Sequence, residues 1–413
     1  MTDSLLHRGD FSVDRRIGLV SLIASGIGLI STGTAVVLLG MIHFFTNLFW
    51  YQTASLLPHS PAGNHLGLWV IVVPAAGGLI VGLMARFGSD KIRGHGIPEA
   101  LETILFGKSR MSFRVAVLKP LSSAIVIGSG GPFGAEGPII MTGGAIGSLI
   151  AQAFHLSSSE RKTLLVAGAC AGMTAVFGTP VAAVLLAVEL LLFELRPRSL
   201  LPVALACAIA GFARVLWLDP GPLFPLQTAP LGIIAIPICV LAGLVAGAFS
   251  ALATLALYRV EDAFQKLPIH WMWWPALGGL VVGIGGYLEP RALGVCYDVI
   301  GDLLHNHLLL TTVFALLAVK LIIWVVALGS GTSGGVLAPL LMMGAGLGIG
   351  IASLIPGADP RVWSLVCMAA VLGGMMRAPL TAIVFAFGLT HDANALLPLM
   401  LSSAVAYGFT VLT

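Results

Sequence analysis

One carboxylate in this chain lies where a carboxylate is costly. Glu136 stands in Gly134-Ala135-Glu136-Gly137-Pro138, inside a largely apolar stretch from Lys119 to Ala151 with no basic residue beside it in sequence. Glycines followed by proline mark the start of a helix. The first N–H groups of that helix have no partner within it, and its dipole adds partial positive charge at the same end. Such an end attracts anions, and Glu136 is an anion tethered to the chain. An acid at membrane depth is a functional-site candidate.

Two further turns have the same grammar. Gly94-His95-Gly96-Ile97-Pro98 and Gly335-Val336-Leu337-Ala338-Pro339 each lead from glycine into a proline-bearing helix start. If the three converge, backbone N–H groups from Gly94, His95, Gly96, Ile97, Gly134, Ala135, Gly137, Gly335, Val336, Leu337 and Ala338, with Pro98 and Pro138 fixing the turns, form a cage for a dehydrated anion. A cage of dipoles offsets dehydration and still lets the ion go, which transport requires.

The elements that must carry these turns are membrane helices. The chain has 413 residues, 58% of them hydrophobic and 9% charged, with a mean hydropathy of +1.01. A spanning helix takes about 20 apolar residues, so there is material for more than ten segments. Several apolar runs, among them 98–106, 138–154 and 379–389, are too short to cross untilted. Half-crossing helices are tolerated where their ends are buried in protein or line a cavity. The 51 glycines suit close helix contact. Net charge is +3, with the basic residues scattered over loops, so nucleic-acid binding has no support. Arg8, Arg15 and Arg16 before the first apolar run, and none between 46 and 65, predict a cytoplasmic N-terminus in a plasma (inner) membrane. That first run is too long for a cleaved signal core. The five cysteines read as small buried hydrophobes.

The central stretch has a second copy. A shift of 201 positions lays Lys119 on Lys320, Gly134 on Gly335, Pro138 on Pro339, Gly143 on Gly344 and Gly147 on Gly348. A shift of 199 then pairs Pro180 with Pro379 and Ala183 with Ala382. Paired, glycine-interrupted helix starts in two halves point to a site between repeats. The expected division is a tail at 1–16, a first repeat at 17–218 and a second at 229–411, together forming one membrane domain.

With these motifs the sequence resembles the CLC family of chloride channels and chloride/proton antiporters. The family's GSGIP, G(K/R)EGP and GxFxP signatures stand here as GHGIP, GAEGP and GVLAP, in order, and the resemblance runs over about 17–411. It implies an all-α polytopic fold of two inverted repeats with tilted and half-crossing helices. It also implies a homodimer with contacts within 180–217 and 379–411, bound chloride in place of any cofactor, no metal and no enzymatic activity. Glu136 would be the gate, occupying the outer anion site until protonation moves it. Departures from the pattern are His95 for a serine, Leu337 for a phenylalanine and Ala135 for a basic residue. The sequence also ends before the helix that carries the family's anion-contacting tyrosine, and Tyr407 is not expected to replace it. Antiporters of the family commonly carry a second acid just after the equivalent of Glu189. Leu190 holds that place, so the expectation is channel-like or weakly proton-coupled chloride flux, with Glu189 a possible proton path.

Other readings exist for the same residues. Glu136 could be a helix cap, His95 a histidine bonded to backbone, and Glu99 and Glu102 complements of a helix dipole. Glu194 beside Arg196 reads as a helix-end acid, and His305-Asn306-His307 lacks the further ligands of a metal site. Gly331-Thr332-Ser333-Gly334 with His391 would suit an intramembrane serine protease. A coupled chloride/proton or fluoride/proton antiporter is the main alternative, since His95 alters the selectivity motif.

Overall fold

The computed structural model describes residues 16–413, so the tail expected at 1–16 lies outside the described residues except for Arg16. Sixteen α-helices follow in two series of eight. The first series is α1 (Arg16–Tyr51), α2 (Val72–Phe87), α3 (Ile97–Leu105), α4 (Phe113–Gly128), α5 (Glu136–Ala153), α6 (Ser158–Phe177), α7 (Pro180–Leu186) and α8 (Pro197–Arg214). The second is α9 (Ile236–Gln265), α10 (Trp274–Leu288), α11 (Tyr297–Leu304), α12 (Leu310–Gly329), α13 (Leu337–Ser353), α14 (Pro360–Met376), α15 (Pro379–Thr390) and α16 (Leu396–Leu412). The only β-type pairings among the described residues are two isolated bridges.

Among the described residues, five helical stretches are long and apolar enough to cross a membrane: 16–51, 67–87, 233–265, 310–329 and 393–412. Composition gave material for more than ten apolar segments, several of them too short to cross. The difference lies in helices such as α13, α14 and α15, which are apolar but shorter. Breaks at glycine and proline cut them. Two of the helix starts also fall earlier than the prolines suggested: α5 begins at Glu136 and α13 at Leu337, which makes Pro138 and Pro339 third residues.

Contacts divide the chain into two compact units. The first comprises residues to 37, 97–117 and 139–221. Here α5 and α6 meet through glycine. A Cβ on Gly143 would strike the carbonyl of Gly168, and one on Gly168 that of Gly143. Backbones this close gain dispersion along the whole crossing, the usual driving force inside lipid. The N-terminus of α6 closes with a capping box, Ser157 with Glu160. Arg16 at the start of α1 pairs with Glu160 at 3.3 Å. Past α7, residues Ala187–Leu192 form a π-helical turn that carries Glu189.

The second unit comprises residues 38–96, 118–138 and 222–413. In it α2 and α10 cross reciprocally. Gly78 lies against the carbonyl of Pro275 and Gly279 against that of Pro74; Gly82 meets Met272 and Gly283 meets Ile71. Each contact returns with its partners exchanged under the 201-residue shift. Such exchange is the mark of a local twofold axis, as at an isologous interface. The second-repeat copy of the α5–α6 contact is here too, with Gly344 of α13 against Met368 of α14 and Gly348 against Trp363.

Candidate functional site

The twofold relation reaches its tightest point at the predicted turns. Gly134 N–H donates to Gly335 O at 3.2 Å, and Gly335 N–H donates back to Gly134 O at 3.1 Å. These two glycines are repeat equivalents. The third turn joins them, since Gly334 N–H donates to Gly94 O at 3.4 Å. Gly96, with φ +99°, presses on Gly137 so closely that a Cβ would lie 2.5 Å from Gly137 O. A Cβ on Gly137 would in turn strike His95 O and stand 3.0 Å from the Gly335 Cα. Gly94, His95, Gly96, Gly134, Ala135, Glu136, Gly137, Pro138, Gly335, Val336, Leu337 and Ala338 all fall in the second unit. Ile97 and Pro98 open α3, which belongs to the first unit.

Glu136 is fully buried. Its carboxylate reaches the start of α13, 201 residues on. Oε1 accepts from the N–H of Leu337 and, at 3.4 Å, from that of Ala338. Those are the first two residues of α13, whose free N–H groups and dipole favour negative charge. Oε2 has no hydrogen-bond partner among the described residues. One carboxylate oxygen is thus held at a helix N-terminus, where negative charge is favoured, and the other is buried without a donor.

Two buried lysines hold the turns. Lys119 Nζ on α4 donates to the carbonyls of Ile92, Arg93 and Gly94 at 2.9, 3.4 and 2.7 Å. Lys320 Nζ on α12, its repeat equivalent, donates to Ala292 O at 2.9 Å, Gly294 O at 3.0 Å and Cys296 Sγ at 3.1 Å. Both side chains are wholly buried. An ammonium in such a place costs several kcal/mol unless its donors are satisfied, and here carbonyls satisfy them.

Ser333 is buried, with its Oγ 2.8 Å from Ser123 Oγ and 3.3 Å from Ser122 Oγ. His391, its partner in the protease reading, lies exposed at the end of α15. His95 is half-buried. Glu189 is half-buried in the first unit. Glu194 is bound by Arg196 at 3.4 Å and by Ser199 Oγ at 2.8 Å. Tyr407 is half-buried within α16. All five cysteines are free and buried, but Cys296 does more than fill space, since it accepts from Lys320. That role was not visible in sequence, because Cys296 and Lys320 are joined only by the fold.

An all-helical membrane architecture of two repeats, whose half-helix starts meet around one buried acid, is that of an anion pathway. The profile of the family described as Voltage gated chloride channel matches residues 77–411, and the chain belongs to that family. It is 28% identical over 403 residues to the voltage-gated ClC-type chloride channel ClcB of Citrobacter koseri, covering 93% of this chain and 94% of that one. It is 27% identical over 402 residues to the H(+)/Cl(-) exchange transporter ClcA of Klebsiella pneumoniae, covering 90% of this chain and 82% of that one. Among solved structures, that of a slow cyanobacterial Cl−/H+ antiporter superposes with a TM-score of 0.82 at 21% identity, over 97% of this chain and 95% of that one. The protein is thus a multi-pass integral membrane protein of a chloride-transporting family. It is a transporter or channel, not an enzyme, which removes the protease reading.

Proposed function

We propose that this chain conducts chloride through a pathway gated by Glu136, in a channel-like or weakly proton-coupled manner. The observation that carries the reading is the Glu136 carboxylate accepting from the first N–H groups of α13. A carboxylate and a free chloride compete for one dipole-lined position, and protonation ends the competition. Bound chloride would then lie against N–H groups of the Gly94–Pro98, Gly134–Pro138 and Gly335–Ala338 turns. Weak coupling follows from Leu190, which cannot carry a proton where a second acid would serve. The repeats at 17–218 and 229–411 would form one membrane domain. The working unit would be a homodimer in a plasma (inner) membrane with the N-terminus cytoplasmic.

A coupled chloride/proton or fluoride/proton antiporter is the second reading. It draws support from the exchange activity in the name of the ClcA relative and from Glu189 on a π-helical turn. Single π-turns recur at functional positions. Reconstitution into liposomes with simultaneous records of anion efflux and pH separates the two. Chloride efflux that moves few protons supports the first reading, and stoichiometric proton uptake supports the second. In either case Glu136→Gln should abolish the pH response while anion flux persists. A mutant that keeps the wild-type pH response would overturn the gate.

A further inference from the structure

Beside the first glycine turn stands a cation for which the backbone cage has no use. Arg93 immediately precedes Gly94, and its carbonyl is one of the three that Lys119 Nζ holds. Its guanidinium lies against two rings of the second repeat, with Cζ 4.7 Å from the Trp271 ring centre and 5.8 Å from that of Trp274. The same group fills the space next to Gly331, where a Cβ would stand 2.5 Å from Arg93 Nη2. Gly331 also has φ +74°, so glycine is required there twice over. Arg93, Trp271, Trp274, Lys119 and Gly331 all belong to the second unit.

The two rings are placed by the backbone. His270 caps the short turn Trp271–Trp273, its Nδ1 accepting from Met272 N–H at 3.2 Å. Trp274 then opens α10 just before Pro275, with the Phe264 ring of α9 at 6.0 Å. Within this cluster two donors have nothing to donate to. Arg93 Nε and Trp274 Nε1 each expose less than 1 Å² and lack a hydrogen-bond partner among the described residues. A buried indole N–H ordinarily finds an acceptor, and an unpaired buried donor calls for a water or an ion. Stacking on the rings offsets part of the cost of burying the guanidinium, but it offers no lone pair. Asp90, in the turn before, acts on Arg93 electrostatically without satisfying Nε. As residues Arg93 and Trp274 are only half-buried, so the cluster is not sealed from outside.

We propose that Arg93 Nε–H and Trp274 Nε1–H together bind a small monovalent anion, chloride in the working protein, at a loading station beside the backbone cage. Its role in transport rests on the three glycine turns forming the anion pathway. One charged and one neutral donor suit a single-atom anion, which accepts from several directions, and the charged bond is the stronger of the two. A guanidinium is more weakly hydrated than an ammonium, and here it is already partly balanced by the rings. It therefore attracts the ion without trapping it. A fixed positive charge at the mouth of a pathway raises the local concentration of its anion, which matters most when bulk chloride is scarce.

Two measurements test the station, one of binding and one of flux. Crystals of the whole chain grown in sodium bromide should show anomalous density within hydrogen-bond reach of Arg93 Nε and Trp274 Nε1, and none there in Arg93→Gln. Bromide at the glycine turns but not at Arg93 overturns the inference alone, as does a water or a phospholipid headgroup in its place. Chloride flux into proteoliposomes, followed against chloride concentration, gives the second readout. Arg93→Gln should raise the half-saturating chloride about tenfold. Trp274→Phe keeps the ring and removes only the N–H, and should raise it about threefold, the loss of one neutral hydrogen bond. A purely structural role would instead lower maximal flux and leave half-saturation where it is, and that pattern in both variants overturns the inference. A wild type that carries no chloride overturns the pathway reading, and the bromide density then decides the station by itself.

Discussion

Lys320 is the residue on which the second half of the site hangs. Its ammonium satisfies two carbonyls and the Cys296 sulfur. Lys320→Met keeps the apolar stem and removes the donors. It should lower stability by about 1–3 kcal/mol, the cost of leaving such acceptors buried and unpaired, read as a drop in the detergent melting temperature. Lys119→Met should behave alike through Ile92, Arg93 and Gly94. A variant as stable as wild type would show that the carbonyls find other partners. His95 tests selectivity instead. His95→Ser should alter the relative permeation of chloride, nitrate and fluoride if its side chain meets the anion, and leave it unchanged if the histidine only supports the turn. Much of the site was legible at this scale. Glu136, the three glycine-rich turns and both lysines stand out as polar or flexible residues in apolar surroundings. The partner of Glu136 was not legible, because a carboxylate that prefers a helix N-terminus gives no sign of which of several it will reach.

At the scale of elements, the crossings are set by glycine and the helix ends by caps. Gly279→Leu would push α10 off the Pro74 carbonyl of α2. Overpacking of this kind costs about 1–3 kcal/mol, and reduced yield of folded protein in detergent measures it. Asp359 caps α14, its Oδ1 accepting from Arg361 N–H at 3.0 Å. Asp359→Ala should cost about 1 kcal/mol. The Arg361 side chain bonded to Asp359 holds its carboxyl below the usual range. A carboxyl lowered on folding stabilises above its unfolded value, near pH 4, and that share is lost as pH falls through the lower, folded value. Arg361 is exposed to solvent, so screening keeps the ionic part small. Helix existence was readable from apolar runs between punctuating glycines and prolines. The first residue of each helix was not, since Pro138 and Pro339 fall third in α5 and α13 rather than first. The π-turn at Ala187–Leu192 had no sequence signal either.

For the whole molecule the open variable is coupling. With membrane potential clamped near the proton equilibrium value, an imposed chloride gradient should drive little uphill proton movement. Robust uphill movement lost in Glu136→Gln would show that a route past Leu190 exists. The reciprocal bonds between Gly134 and Gly335 bear on something else, the history of the chain. Two peptide segments that greet each other identically from both sides behave as two subunits would. The polypeptide link between them adds proximity, and its own bonds, Phe224 N–H to Leu389 O and Leu226 N–H to Thr390 O, stay within the second half. Severing the chain in the connection at 219–228 and making the two fragments together should therefore restore a working pathway, by the same arithmetic that lets tethered partners bind untethered at higher concentration. Each fragment made alone would expose the glycine faces meant for the other and should be cleared by the cell's proteases. A duplicated half-length ancestor, assembling with its own copy, would have had this pair of glycines on its symmetry axis before any gate residue distinguished one half from the other.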